Sequence, residues 1–291
     1  MPYDIIAIMT VYHPTPIHVR NARRIMEQVD WLFVFDNSPS DSAVLFADLE
    51  RCSYSCHKEN IGLSRAFNYV LKTFSKCIAE DAAVLFFDQD TVIPERHIAK
   101  MHGVFKDLRK MGESVGAIGP VYIDASDGKA RCPKHGKWIT KESMRVRTLI
   151  TSSMLCQYGT LKEIGFWNEK FFLDMADWDL CWRLRRHGYS CCMTQASKIC
   201  HTVGESKRGS VAAPIIVWKP FRLYYQVRDF LRICKEKQAP FCERLYIFGE
   251  LAARSIYQLL FFRDRKERFH YICLGVKDFF HIISFPHTSK V

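Results

Sequence analysis

Two acidic clusters hold the residues whose types and spacing could do chemistry. The first is Asp88-Gln89-Asp90, directly after the apolar run Ala82–Phe87. A short apolar run bounded by Glu80-Asp81 predicts a strand buried on both faces, as in a parallel sheet. In extended chain, positions i and i+2 point to one side, so Asp88 and Asp90 can converge on one object. Carboxylates beyond the end of such a strand suit a hard divalent cation, Mg or Mn, whose other ligands are phosphate oxygens. A solvated acidic turn is the plain alternative for so short a motif. The second cluster is Asp174, Asp177 and Asp179. A helix predicted from near Asp174 to His187, with Gly188 as its cap, puts Asp177 and Asp179 in the first turn, where the dipole favours a charged carboxylate. Asp179 and Arg183, at i,i+4, suit a structural ion pair. Asp177 is then the freer group, able to act as general base toward a substrate hydroxyl where geometry allows. Charge decoration of a helix start is the alternative.

The elements that must position these clusters follow from the apolar pattern. Strands are expected at 4–11, 31–35, 54–57, 82–88 and 115–118, and helices at 16–29, 44–49, 64–74 and 98–111. Strands alternating with helices over short connections mean an α/β fold with a doubly wound, mostly parallel sheet flanked by helices. Residues 149–155 read as a strand returning to the sheet, 161–165 as a helical turn with a Gly cap, and 124–144 as a mobile loop. Thr10-Val11-Tyr12, Asp36-Asn37-Ser38 and Asp88-Gln89-Asp90 all stand at carboxyl ends of strands, where they would line one crevice, as a nucleotide site requires. GxGxxG and GxxxxGK[ST] are both absent, which excludes a dinucleotide-type Rossmann protein and a P-loop enzyme.

A composition of 48% hydrophobic and 25% charged residues over 291 positions is that of a globular chain of one large domain or two modest ones. Met1-Pro2-Tyr3-Asp4 lacks a basic leader pattern, and no stretch of about 18 uncharged apolar residues suggests a spanning helix. The twelve cysteines show neither CxxC pairs nor zinc spacing, so they read as reduced thiols of a cytoplasmic protein. The net charge of +11 is concentrated toward the C-terminus, where residues 204–291 hold 16 Lys and Arg against 8 Asp and Glu. Within 221–291, apolar residues at 241, 245, 248, 252, 256 and 259 form a helical stripe, followed by the basic run Arg263–Arg268 and the aromatic segment Phe269–Phe285. This basic amphipathic helical region suits a membrane surface, peripheral on the inner face, through residues 241–291. Packing on the rest of the chain, or on a second copy in a homodimer, is the alternative.

Five segments in order resemble a known family: Thr10–Pro14, Phe35–Ser38, Asn60–Asn68, Asp88–Asp90 and Phe172–Arg183. Over roughly residues 4 to 230 the chain resembles the family 2 glycosyltransferases of GT-A fold, and within them the rhamnosyltransferases. The resemblance implies a GT-A glycosyltransferase domain over 1–220, with a nucleotide-sugar half at about 1–120 and an acceptor half at about 121–220. It implies that Asp36 contacts the base with Thr10 and Tyr12 flanking, that Asn60 and Arg65 bind the nucleotide sugar, and that Asp88 faces the ribose or diphosphate. Asp90 and His201 would serve the metal, Asp177 would be the catalytic base, and Asp174 matches an Asp of the rhamnosyltransferase branch. Ala176 departs from the acidic residue usual before the base. Asp229, in Tyr224-Tyr225-Gln226-Val227-Arg228-Asp229, replaces an Asn, and its role is open. The implied reaction is inverting transfer of a sugar, L-rhamnose from dTDP-rhamnose, to a hydroxyl of a growing cell-surface glycan or polyprenyl-diphosphate-linked acceptor. A UDP-hexose or UDP-N-acetylhexosamine is the alternative donor. A non-catalytic basic binding module is the reading from another class. Intact Asp36, Asp88, Asp90 and Asp177 favour the enzyme, with no nucleic-acid partner expected.

Overall fold

Side chains that alternate between two buried faces build the centre of the molecule. Along β1 (Tyr3–Val11), β2 (Trp31–Asp36) and the later strand β4 (Ile78–Asp88), Ile6, Ile8, Phe33, Phe35, Val84 and Phe86 enter one core, while Ala7, Met9, Leu32, Val34, Leu85 and Phe87 enter the other. Strands buried on both faces are what continuous apolar runs dictate. The computed structural model describes residues 2–124, 128–133, 136–201, 206–210, 213–217, 219–237 and 239–281, and gives only the backbone of 201, 206–210, 213–217 and 281.

Helix α1 (Pro16–Met26) follows β1, the short α2 (Ala43–Phe46) follows β2, and α3 (Leu63–Thr73) follows β3 (Cys52–Cys56). After β4 come α4 (His97–Lys110) and β5 (Val115–Asp124). The short β6 (Ala130–Arg131), β7 (Lys137–Trp138), β8 (Ser143–Val146) and β9 (Met154–Gln157) precede α5 (Tyr158–Glu163), α6 (Ala176–Arg186) and β10 (Ser190–His201). A hairpin of β11 (Ser206–Ser210) and β12 (Ala213–Val217) leads to α7 (Arg222–Glu236), α8 (Phe241–Phe261) and α9 (Arg265–His281).

Among the described residues the main sheet runs β3-β2-β1-β4-β9-β5-β10-β8-β7, with β6 beside β5. β1 to β4 pair in parallel and β10 pairs in parallel with β5, whereas β9 is antiparallel to both β4 and β5. The returning strand lies at Met154–Gln157 and not at 149–155, because Thr151–Ser153 form the turn before it. β5 continues past Gly119-Pro120, where its end was expected. The register of β10 slips between Thr194 and Lys198, opposite Pro120 and Val121, and such a bulge accommodates a residue that has no N–H for the ladder. The expected loop 124–144 contains β6, β7 and the first residues of β8, while 125–127 and 134–135 lie outside the described residues. The twelve cysteines are free thiols. No helix among the described residues is long and apolar enough to cross a membrane.

Polar contacts tie the C-terminal helices to one another and to α6. Arg228 on α7 donates from Nε to Asp229 at 2.7 Å and stacks over Tyr224 and Tyr225, and Tyr224 donates its hydroxyl to Asp278 of α9 at 2.9 Å. Asp229 is therefore half of a buried ion pair, and its removal would strand Arg228. Glu243 of α8 accepts from Trp182 Nε1 at 2.7 Å and from both Arg185 Nη atoms at 2.8 and 2.9 Å, which fastens α8 to α6.

The loop Asn60–Gly62 locks the two halves of the sheet domain together. Gly62 has φ +82°, and a Cβ there would lie 2.5 Å from Phe172 Cδ2 and 2.6 Å from Phe172 O. The next residue, Leu63, donates its N–H to that same carbonyl at 2.7 Å. Gly62→Ala is expected to destabilise the fold by about 2 kcal/mol or more, from left-handed strain plus the clash. Chemical denaturation that finds the variant within ~0.5 kcal/mol of wild type would refute this account of the loop.

Candidate active site

The site grows out of the carboxyl edge of the sheet. Register places Thr10 beside Asp88 across β1 and β4, and Val11 beside Asp36 across β1 and β2. The turn after β4 is held from β1 and α1: Gln89 Oε1 accepts from Tyr12 N at 2.7 Å, and Gln89 O accepts from Asn21 Nδ2 at 2.9 Å. That turn delivers Asp90 to the surface. His18 of α1 lies close enough for the Asp90 charge to work against the burial that lowers its pKa.

A cavity of about 520 Å³ opens beside this edge, lined by Asp88, Asp90, Tyr122, Ser152, Asp174, Asp177, Trp178, Arg222, Gln226 and, from α8, Ile247, Glu250, Leu251 and Arg254. It thus brings together both acidic clusters. Ser152 donates to Asp88 Oδ2 at 2.5 Å. The Ser152 turn is fixed from beneath: His97 is fully buried, one ring nitrogen 2.6 Å from Ser153 Oγ and the other 2.7 Å from Ser197 Oγ. Burial pushes its pKa down to about 4, so the ring is neutral near pH 7. Ser153 (φ +62°) and Met175 (φ +66°) both hold left-handed backbone beside the cavity, conformations that cost energy outside glycine and cluster at working sites.

The second cluster is positioned by α6. The helix starts at Ala176, later than expected, which leaves Asp174 in the preceding turn. Asp174 is clamped by Arg222, which donates from Nη2 at 2.6 Å and from Nε at 3.3 Å. Phe172 stacks on Tyr225 with ring centroids 4.8 Å apart, which fixes that turn against α7. Asp179 is fully buried and accepts from Arg183 Nε at 2.7 Å, the structural ion pair that the spacing calls for. Asp177, half-buried, faces the cavity and accepts from Trp178 N at 2.9 Å. Burial raises its pKa to about 7, with the neighbouring charges of Asp174 and Asp88 pushing the same way. A carboxylate with that pKa accepts protons effectively near neutrality.

The remaining expected residues lie outside the cavity lining. Asp36 is fully buried, and both its oxygens are engaged, Oδ1 by Ser38 N at 2.8 Å and Oδ2 by the Tyr54 hydroxyl at 2.7 Å. It shapes the turn at the end of β2. Thr10 is buried next to it and Tyr12 is exposed. Asn60 Oδ1 accepts from Gly62 N at 3.0 Å, and Arg65 is exposed on α3. His201 ends β10, with its backbone in register with Asp124, but its side chain lies outside the described residues. No group of three or more His, Cys, Asp or Glu side chains able to hold a metal is assembled among the described residues. Sequence reasoning missed Ser152, Arg222, Gln226, Glu250 and Arg254. The Tyr-Tyr-Gln-Val-Arg segment was the one signal pointing at α7, and nothing local marked α8 as a cavity wall.

The raised pKa has a stability consequence. Between pH 4 and 7 the folded state holds a proton on Asp177 that the unfolded chain has lost, so this group costs stability increasingly as pH rises through that window. Asp177→Asn is expected to melt higher than wild type at pH 8 and level with it near pH 4. Equal melting temperatures at both pH values would contradict the shifted pKa.

Comparison with known proteins follows the same lines. No family model matches the chain. It is 25% identical over 290 residues to the dTDP-rhamnosyl transferase RfbF of Shigella flexneri, covering 94% of this chain and 93% of that protein. Among solved structures, GalNAc-T7 with UDP, GalNAc and Mn2+ matches 97% of the chain with TM-score 0.56 and 11% identity. S. aureus TarS matches 99% with TM-score 0.57 and 14% identity. The chain spans 57% and 50% of the length of those two chains.

Proposed function

Starting from a glycosyltransferase of GT-A fold, we propose that this chain transfers L-rhamnose from dTDP-rhamnose to a hydroxyl of a glycan acceptor, with inversion. Asp177 is the general base. The observation that carries this is its position in the cavity facing Asp88 and Asp90, with a pKa of about 7. The resemblance along the whole length to a dTDP-rhamnosyl transferase supports the donor.

The donor set fits a divalent cation, Mg or Mn. Asp88 and Asp90 line one wall of a cavity in which carboxylates outnumber guanidiniums, and a diphosphate would be repelled there unless a cation came with it. Asp90, with His201 at the end of β10, would hold the ion. When bound, it would neutralise charge developing on the departing nucleoside diphosphate. Asp88, oriented by Ser152, holds the donor at the ribose or diphosphate. Thr10, Tyr12, Asn60, Arg65 and the turn shaped by Asp36 serve the nucleotide end, and Asp174 orients the sugar beside Arg222. The acceptor hydroxyl gives its proton to Asp177 as its oxygen attacks the anomeric carbon and the bond to the diphosphate breaks. No protein nucleophile is needed, so one displacement inverts the anomeric centre. The acceptor itself is a growing cell-surface glycan or a glycan carried on a polyprenyl-diphosphate lipid at the inner face of the membrane.

The outer face of α8 supports the membrane-surface part of this reading. Phe241, Leu245, Phe248 and Ile256 are each more than half exposed, and Arg263, Arg265 and Lys266 lie exposed beyond them. Apolar rings beside basic side chains match an anionic lipid surface, with about 1 kcal/mol from each nearby cation.

Asp177→Asn is expected to lower kcat by about 10²–10⁴ while donor affinity stays near wild type. Turnover within about tenfold of wild type would exclude Asp177 as the base. Asp90→Ala is expected to abolish the metal dependence of donor binding measured by calorimetry, and an unchanged metal dependence would remove Asp90 from the cation site. In flotation with anionic vesicles at low salt, wild type is expected to rise with the lipid and Phe248→Ser/Ile256→Ser to stay below. Co-flotation of both, or of neither, would sink the membrane role.

A further inference from the structure

Helix α8 has two faces with different chemistry. Ile247, Glu250, Leu251 and Arg254 follow at i, i+3, i+4 and i+7, form one face, and line the cavity. Exposed Leu245 and Ile256 fall on the opposite side, with exposed Phe241 and Phe248 flanking them. One wall of the cavity is therefore built by α7 and α8, beyond the segment 121–220 expected to hold the acceptor.

Three polar groups converge on that wall. Gln226 of α7 is buried at 4% exposure and lines the cavity, yet its Oε1 has no hydrogen-bond partner. A buried carbonyl without a donor forfeits its solvation with nothing in return and calls for an explanation. Glu250 and Arg254 pair with each other across one helical turn. A partly exposed i,i+4 pair adds little stability, so both groups can turn to a ligand at little cost. Arg222, by contrast, is committed to Asp174 through two hydrogen bonds. Trp178 and Leu251 add apolar surface to the same cavity.

Charge decides which ligand this wall takes. Among the described lining residues, the five acids Asp88, Asp90, Asp174, Asp177 and Glu250 stand with two guanidiniums, Arg222 and Arg254. A phosphate placed against this wall would meet that surplus of carboxylate, so the diphosphate of a lipid carrier lies away from it. A neutral saccharide would not be repelled. Its hydroxyls can donate to Gln226 Oε1 and to the Glu250 carboxylate and accept from Arg254, while a C–H face of the ring covers Trp178. We propose that Gln226, Glu250 and Arg254 form the binding site for the acceptor sugar and select it by its hydroxyl pattern. This rests on the transferase reading above and adds to it the residues that recognise the acceptor.

The test uses the full chain and a panel of octyl glycosides of rhamnose, glucose, galactose and N-acetylglucosamine. Binding is read by saturation-transfer NMR and transfer by initial rates. Gln226→Leu and Glu250→Gln are each expected to raise the acceptor KM by about tenfold or more, the loss of one hydrogen bond to a sugar hydroxyl, with donor Kd within about twofold of wild type. Arg254→Lys is expected to retain more acceptor affinity than Arg254→Ala. Thermal melts check that each variant is folded. Acceptor KM unchanged in both Gln226→Leu and Glu250→Gln, or a weakened donor Kd in its place, overturns the assignment, as does wild type binding no glycoside of the panel. Failure of the transferase reading looks different: wild type then binds no nucleotide sugar with metal present, whatever the glycosides do.

Discussion

Several carboxylates crowd around one cavity, and the surrounding structure has to make that crowding tolerable. Like charges in a partly desolvated space repel and resist ionisation, and the burial that lifts Asp177 toward neutrality is one outcome of this. Three of the acids in and beside the cavity are given specific partners. Asp88 has Ser152, Asp174 has Arg222, and Asp179 has Arg183. Those partners need support of their own, which explains features that seem remote from chemistry. His97 is held neutral beneath Ser153, Phe172 is clamped between Gly62 and Tyr225, and Arg222 opens a helix anchored through Arg228 and Asp229. Asp177 is left without a cationic partner among the contacts described here. That is what a base requires, since a nearby guanidinium would lower its pKa and weaken it.

The C-terminal helices take part in this arrangement and do more than extend the fold. Glu243 joins α8 to α6, the helix that carries Asp177, through three hydrogen bonds. A displacement of α8 would therefore be felt at Asp177. Its exposed apolar face and its cavity face are two sides of one rigid element, so whatever covers the outside also sets the wall that lines the cavity. This gives a physical route by which a lipid surface could influence turnover without touching the reacting atoms.

Much of the architecture was legible in the residues. Continuous apolar runs announced the buried strands, and the acidic end of β4 announced an edge of the cavity, although the ends of β1 and β2 lie outside its lining. The i,i+4 spacing of Asp179 and Arg183 announced their pairing, which singled out Asp177. What stayed hidden depended on contacts between distant segments. Asp36 looked available from its strand-end position, yet Ser38 and Tyr54 take both its oxygens. β5 runs through Pro120 because β10 carries a bulge opposite, a fact written in the partner strand and not in β5. Ser152 read as part of a strand because its neighbours are apolar, and only its 2.5 Å contact with Asp88 reveals its role. Glu250 and Arg254 looked like surface charges on an amphipathic helix, since periodicity shows that a helix has faces but not which neighbour each face meets.

The central claim is that this cavity binds a nucleotide sugar through a metal-neutralised diphosphate, and direct binding tests it most plainly. Calorimetry of wild-type protein with dTDP-rhamnose, a UDP-hexose and a UDP-N-acetylhexosamine, each with Mg, with Mn and with chelator, separates donor identity from metal need. The account predicts that dTDP-rhamnose binds most tightly and that chelator abolishes its binding. Tight binding of none of these nucleotide sugars under any condition would contradict it.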